Sequence, residues 1–169
     1  MIQFDPGIAL IVDIAVWSIA GVTIGFVHHH VPVERLSRDG PLTRIRRWER
    51  GGRWYQRTLR ISAWKDLLPE AGAFFRGGVS KRSLPSRDRV GLERFAIETR
   101  RAERVHWSLL ALCPIFWLWN PPVLAIAMTA YALIANVPFI LVQRFNRARL
   151  HRILQYRGTL ASVSWSRTA

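Results

Sequence analysis

The sequence predicts an all-α membrane protein with three transmembrane helices and cytoplasmic amphipathic interfacial helices. Three observations carry this. Apolar residues gather into runs at about 8–27, 105–119 and 123–142, while basic residues gather between the first two runs and after the third. The eight Trp residues suit a membrane interface, where an amphipathic ring sits at headgroup level. Averages hide this blocking: half of the 169 residues are hydrophobic, yet mean hydropathy is only +0.07.

From Ile8 to Val27 the only polar side chains are Asp13, Ser18 and Thr23. At about 1.5 Å per residue that run reaches roughly 30 Å, the thickness of the hydrocarbon core. A cleaved signal peptide would want a basic start, but no Lys or Arg precedes Arg35, so a retained helix is expected. The second run, Val105 to Trp119, is short against the usual ~20 residues. Asn120-Pro121-Pro122 then forces a turn, with Pro122 suited to the first turn of a helix. The third run, Val123 to Val142, is long enough to cross. By the positive-inside rule, the loop 34–104 and the chain after Gln143 are cytoplasmic. The N-terminus and the proline turn face out.

Within the loop, Leu42–Trp48 and Trp54–Ile61 alternate aromatic or aliphatic residues with Arg, separated by Gly51-Gly52. Such segments lie in the headgroup plane, apolar side down and Arg toward phosphates. Ser86 is the expected N-cap of a charged helix over 87–104. No Gly or Pro intervenes between Gly91 and Pro114, so that helix runs on into the second apolar run. The organisation is one membrane-embedded domain, 1–158, with a flexible tail, 159–169.

Net charge is +14, and every basic residue except Lys65 and Lys81 is arginine. That balance points to anionic lipid headgroups or a phosphate-rich substrate, and the apolar runs argue against nucleic acid. The single cysteine, Cys113, excludes an intrachain disulfide framework. His28-His29-His30 does not read as a metal site, because consecutive helical residues sit about 100° apart and share no face.

Two polar clusters carry the chemistry. Thr99, Glu103 and His106 share one helical face, and Glu98, Ala102 and His106 form an overlapping stripe. A carboxylate beside an imidazole holds its tautomer and raises its basicity, as a general base requires. Asn136, Ile140, Gln143 and Arg147 form a second stripe, with Asn136 about 10 Å deeper than Gln143. A polar side chain at that depth usually faces protein or a cavity. Gln143 and Asn146 offer neutral donors, whereas Arg144, Arg147 and Arg149 suit phosphates. In an antiparallel hairpin both clusters meet at the inner membrane face. That chemistry suits a reaction between a lipid hydroxyl and a soluble anionic donor. The same residues also fit a charged helix of Glu–Arg pairs in a non-catalytic, lipid-binding subunit that docks onto a larger synthase.

These residues resemble the small integral-membrane family of glycosyl-4,4'-diaponeurosporenoate acyltransferases. The resemblance lies in Glu98-Thr99-Arg100-Arg101-Ala102-Glu103 with His106-Trp107, and in Ala135-Asn136-Val137-Pro138 with Gln143-Arg144-Phe145-Asn146-Arg147-Ala148-Arg149. Looser agreement reaches back through Ile61 and Trp64-Lys65, so it spans roughly 48 to 158. Ala148 stands where proline is expected after the arginine. The resemblance implies acyl transfer from acyl-CoA or acyl carrier protein to a hydroxyl of a membrane lipid acceptor, a carotenoid glycoside or similar glycolipid. His106 would be the base, with Glu103 or Glu98 orienting it. Asn136 or Gln143 would serve the oxyanion, and Arg144, Arg147, Arg149 and Lys65 the donor phosphates. Trp64, Arg101 and Asn146 complete the expected substrate-binding set, and no cofactor or metal is required.

Overall fold

A computed structural model describes residues 4–69 and 88–166, with the backbone alone over 157–166. Its helices are α1 (Pro6–His29), α2 (Val33–Ser37), α3 (Arg53–Leu59), α4 (Ile61–Trp64), α5 (Arg89–Ala111) and α6 (Pro122–Ser166). Short 3₁₀ turns occupy Arg47–Gly52, Lys65–Leu67 and Cys113–Leu118. The fold is all-α among the described residues. The expected N-cap at Ser86 lies outside them; α5 is capped by Asp88, whose side chain accepts from the Gly91 N–H at 2.8 Å.

By length and composition, two helices can cross a membrane: α1, and α6 through Tyr156. On α1 only Ala9 and Asp13 are buried, while Ile8, Ile11, Ile14, Ile19 and Val22 point outward. Asp5 caps its start, accepting from the Gly7 N–H at 2.9 Å. Its C-terminal carbonyls are capped from α5. Arg101 Nη1 donates to the carbonyls of His28 (2.5 Å), His29 (2.7 Å) and Val31 (3.2 Å). A cation there also answers the negative end of the helix dipole.

The run 105–119, expected as one helix, is divided. The α-helix stops at Ala111, and a 3₁₀ turn carries the chain to Leu118. Pro114 explains the break, since it has no N–H to continue the ladder. The Leu112 N–H closes the last turn on Leu109 at 3.2 Å. Even so, the chain from Arg101 to Asn120 climbs alongside α1, from His28 to Asp13, which are about 22 Å apart along that helix. Trp17 fastens the middle by ring contacts to Phe116 (5.8 Å) and Tyr131 (5.3 Å).

α6 continues without interruption past Val142, into the segment expected to be a tail. It runs antiparallel to α5: His106 meets Asn136, while Leu92, Phe95 and Ala96 pack on Leu150. The segment 47–64 folds over the other side of α6. Tyr55 and Ile61 are buried against Val142 and Phe145, with Trp54, Leu59 and Trp64 around them. The apolar side of Trp54–Ile61, expected to lie down on the headgroup plane, thus packs on α6. The approach needs glycine: Gly51 and Gly52 have φ of 62° and 87°, and a Cβ on Gly52 would lie 2.9 Å from Arg149 Cγ.

Candidate functional site

The polar interior at the α5–α6 interface has two parts. The first is an ionic lattice that joins three segments of chain. Glu103, fully buried on α5, accepts from Trp107 Nε1 (3.2 Å) and Arg144 Nη1 (2.9 Å) through Oε1, and from Arg147 through Oε2. Arg144 also donates from Nη2 to Glu49 Oε1 at 2.5 Å and from Nε to the Tyr55 hydroxyl at 3.1 Å. It closes on the carbonyls of Leu42 (2.6 Å) and Arg44 (3.0 Å). Arg147 Nη2 reaches the carbonyl of Thr43 at 2.6 Å. Tyr55 donates to Glu49 Oε2 at 2.9 Å, and burial pushes its phenol above the ordinary range, so it stays a neutral donor. Two carboxylates thus balance two guanidiniums in a mostly buried setting. Removing one partner from such a pair costs far more than the pair itself contributes.

The second part is neutral. His106 Nδ1 lies 2.9 Å from Asn136 Oδ1, and its ring stacks on Phe139 with centroids 4.7 Å apart and planes 16° apart. Asn136 is buried, and its Nδ2 donates to the carbonyl of Ala132 at 2.9 Å. That bond turns Oδ1 toward the imidazole. An amide oxygen can only accept, so Nδ1 is the donor in this pair. Pro138 in the same stretch of α6 leaves the carbonyl four residues earlier without its usual helical donor.

Each of the other expected site residues also has a place. Glu98 pairs with Arg101 at 3.2 Å, and Arg101 is the cap of α1. Gln143 is buried on the Asn136 stripe, between Asn136 and Arg147, and Asn146 is partly buried. Arg149 is exposed, its guanidinium 5.2 Å above the Phe145 ring. Lys65 pairs with Asp66 at 2.6 Å, and Trp64 Nε1 donates to the carbonyl of Leu59 at 2.9 Å. The structure therefore brings together His106 with Asn136, and Glu103 with Arg144 and Arg147. It places Glu98 and Arg101 at the end of α1, and Trp64 in the cluster around Tyr55.

Sequence inspection did not single out Glu49, Thr43 or the hydroxyl of Tyr55. One local signal existed: Glu49 is the sole acid between Pro41 and Ile61, in a stretch crowded with arginine. Another polar group, remote from these, is Asp13. Its Oδ1 accepts from Trp119 Nε1 (2.9 Å) and Asn120 Nδ2 (2.8 Å), fixing α1 to the turn that opens α6.

Among the described residues these features define a small all-α protein with two apolar helices long enough to cross a membrane, and a half-buried imidazole bonded to a buried amide beside an ionic lattice. The chain belongs to the family described as glycosyl-4,4'-diaponeurosporenoate acyltransferase, whose family model matches residues 40–156. It is 31% identical over 144 residues to the protein of that name from Staphylococcus haemolyticus, covering 85% of this chain and 83% of the relative. The relative from Staphylococcus aureus strain MRSA252 is 30% identical over 147 residues, covering 84% and 87%. No solved structure matches the chain.

Proposed function

We propose that this protein is a membrane O-acyltransferase moving a fatty acyl group from a cytoplasmic thioester to a hydroxyl of a membrane glycolipid. Family membership supports acyl transfer, and the relatives' name points to a glycosyl-4,4'-diaponeurosporenoate or a similar lipid glycoside as acceptor. The observation that carries the chemistry is the His106–Asn136 pair. Asn136 holds the imidazole by its Nδ1 proton, so Nε2 can take the proton of the acceptor hydroxyl. The acceptor oxygen then attacks the thioester carbonyl carbon. Gln143, buried on the same stripe of α6, donates an amide N–H to the developing oxyanion in this scheme. As the intermediate collapses the C–S bond breaks, the new ester forms, and the imidazolium returns its proton to the leaving thiolate. The donor is acyl-CoA or an acyl carrier protein. Glu103 acts below the imidazole as the anchor of Arg144 and Arg147.

The topology that accompanies this mechanism has three crossings: α1 inward, the divided segment 105–118 outward, and α6 inward. The N-terminus faces out, and the basic loop and C-terminus face the cytoplasm. Arginine placement supports it, as does the climb of residues 101–120 beside α1. Reconstitution into vesicles with a coenzyme A thioester and a lipid glycoside tests the activity. An acylated glycolipid, seen by mass spectrometry only with the protein present, is expected. If Asn136→Ala forms it at the wild-type rate, the imidazole–amide mechanism is wrong and a docking subunit becomes the better account.

A further inference from the structure

Two of the arginines best suited to phosphate, Arg144 and Arg147, are internally neutralised by Glu49 and Glu103. Elsewhere Asp39 is engaged by Arg100 and Glu98 by Arg101. A different group of guanidiniums has no such compensation. Arg50, Arg53, Arg149 and Arg152 are all exposed, and among the described residues none of them forms an ion pair.

Their assembly depends on backbone shape. Arg50, Gly51 and Gly52 all have positive φ, at 47°, 62° and 87°. A Cβ on Gly51 would lie 3.1 Å from Arg152 Cδ, and one on Gly52 would lie 2.9 Å from Arg149 Cγ. The stems of Arg149 and Arg152 thus lie directly on a bare glycine backbone. Phe145 completes that face of α6 with its ring under the Arg149 guanidinium, and Arg53 is held at the loop through the carbonyl of Arg50 at 3.4 Å. Like charges drawn together raise the energy of the folded state unless an anion joins them. Strained backbone at a non-glycine residue, Arg50, adds to that cost.

We infer that Arg50, Arg53, Arg149 and Arg152, seated on Gly51-Gly52, form a phosphate-binding site separate from the His106–Asn136 pair. Phe145 is nine residues from Asn136, about 180° around α6, so this site occupies the opposite face of that helix. The ligand chemistry is a phosphate or diphosphate anion gripped by guanidinium forks. It comes either from an anionic phospholipid headgroup or from the soluble diphosphate of a thioester donor. The site itself stands whether or not the protein transfers acyl groups.

The test uses the full chain in nanodiscs of phosphatidylcholine, with inorganic pyrophosphate as the soluble probe, and in discs containing phosphatidylglycerol, with retained lipid read by native mass spectrometry. Arg149→Gln/Arg152→Gln should weaken the relevant binding by about tenfold or more, against little change for Arg38→Gln/Arg94→Gln, which removes the same charge elsewhere. Gly52→Ala keeps every charge but displaces Arg149, and should weaken the same arm; circular dichroism confirms that each variant is folded. Loss in the pyrophosphate arm identifies a soluble donor, and loss confined to phosphatidylglycerol identifies a lipid headgroup. If the Arg149→Gln/Arg152→Gln variant loses no more affinity in either arm than the Arg38→Gln/Arg94→Gln control, the site does not exist.

Discussion

The two polar clusters on the α5–α6 interface share their helices but differ in what they have left to offer. In the ionic lattice every carboxylate oxygen of Glu49 and Glu103 is occupied by a donor from this chain. Its charges hold residues 42–55 against the helix pair. The His106–Asn136 pair carries no such charge balance, and its amide presents the imidazole with a defined tautomer. On the proposed mechanism, charge density marks the scaffold and a modest hydrogen bond marks the chemistry. Arg-rich motifs invite the opposite assignment, because a guanidinium read in sequence has no visible partner.

That contrast can be broken in three ways, in order of expected size. Glu103→Ala strips Arg144 and Arg147 of a shared buried partner. It should lower stability by about 3–5 kcal/mol, measured by denaturant unfolding in detergent. A change under about 1 kcal/mol would mean that the lattice is solvated and not structural. Asn136→Ala should lower stability by only about 1–2 kcal/mol yet cut turnover per folded molecule roughly tenfold to a hundredfold, since the imidazole loses its orienting partner. The opposite outcome, large destabilisation with turnover per folded molecule intact, would make Asn136 a packing residue. Tyr55→Phe removes one hydroxyl between Glu49 and Arg144. About 1 kcal/mol of stability should be lost with little effect on rate, and a large rate loss would place the lattice in the chemistry.

Much of the framework was legible in the sequence. α1 and α6 announce themselves as apolar runs, and Asn120-Pro121-Pro122 marks the start of α6. The division at Ala111 was written in Pro114, but the apolar character of Val105–Trp119 masked it. Asn136 and His106 were each visible as polar residues in apolar surroundings. That they pair with one another depends on the rotation of α5 against α6, which no local periodicity encodes. The lattice was least legible. Glu49 and Tyr55 meet Arg144 from 95 and 89 positions away, and an Arg/Trp segment reads equally well as a surface helix. Gly51-Gly52 was visible as a separator, whereas its role as a bed for arginine stems needs the tertiary contact.

The most direct measurement is the turnover of His106→Ala in vesicles, per molecule of folded protein, with a coenzyme A thioester and a lipid glycoside. A fall of about a hundredfold to ten-thousandfold is expected, with helicity retained. Wild-type turnover from that variant would contradict the assignment of this imidazole as the base.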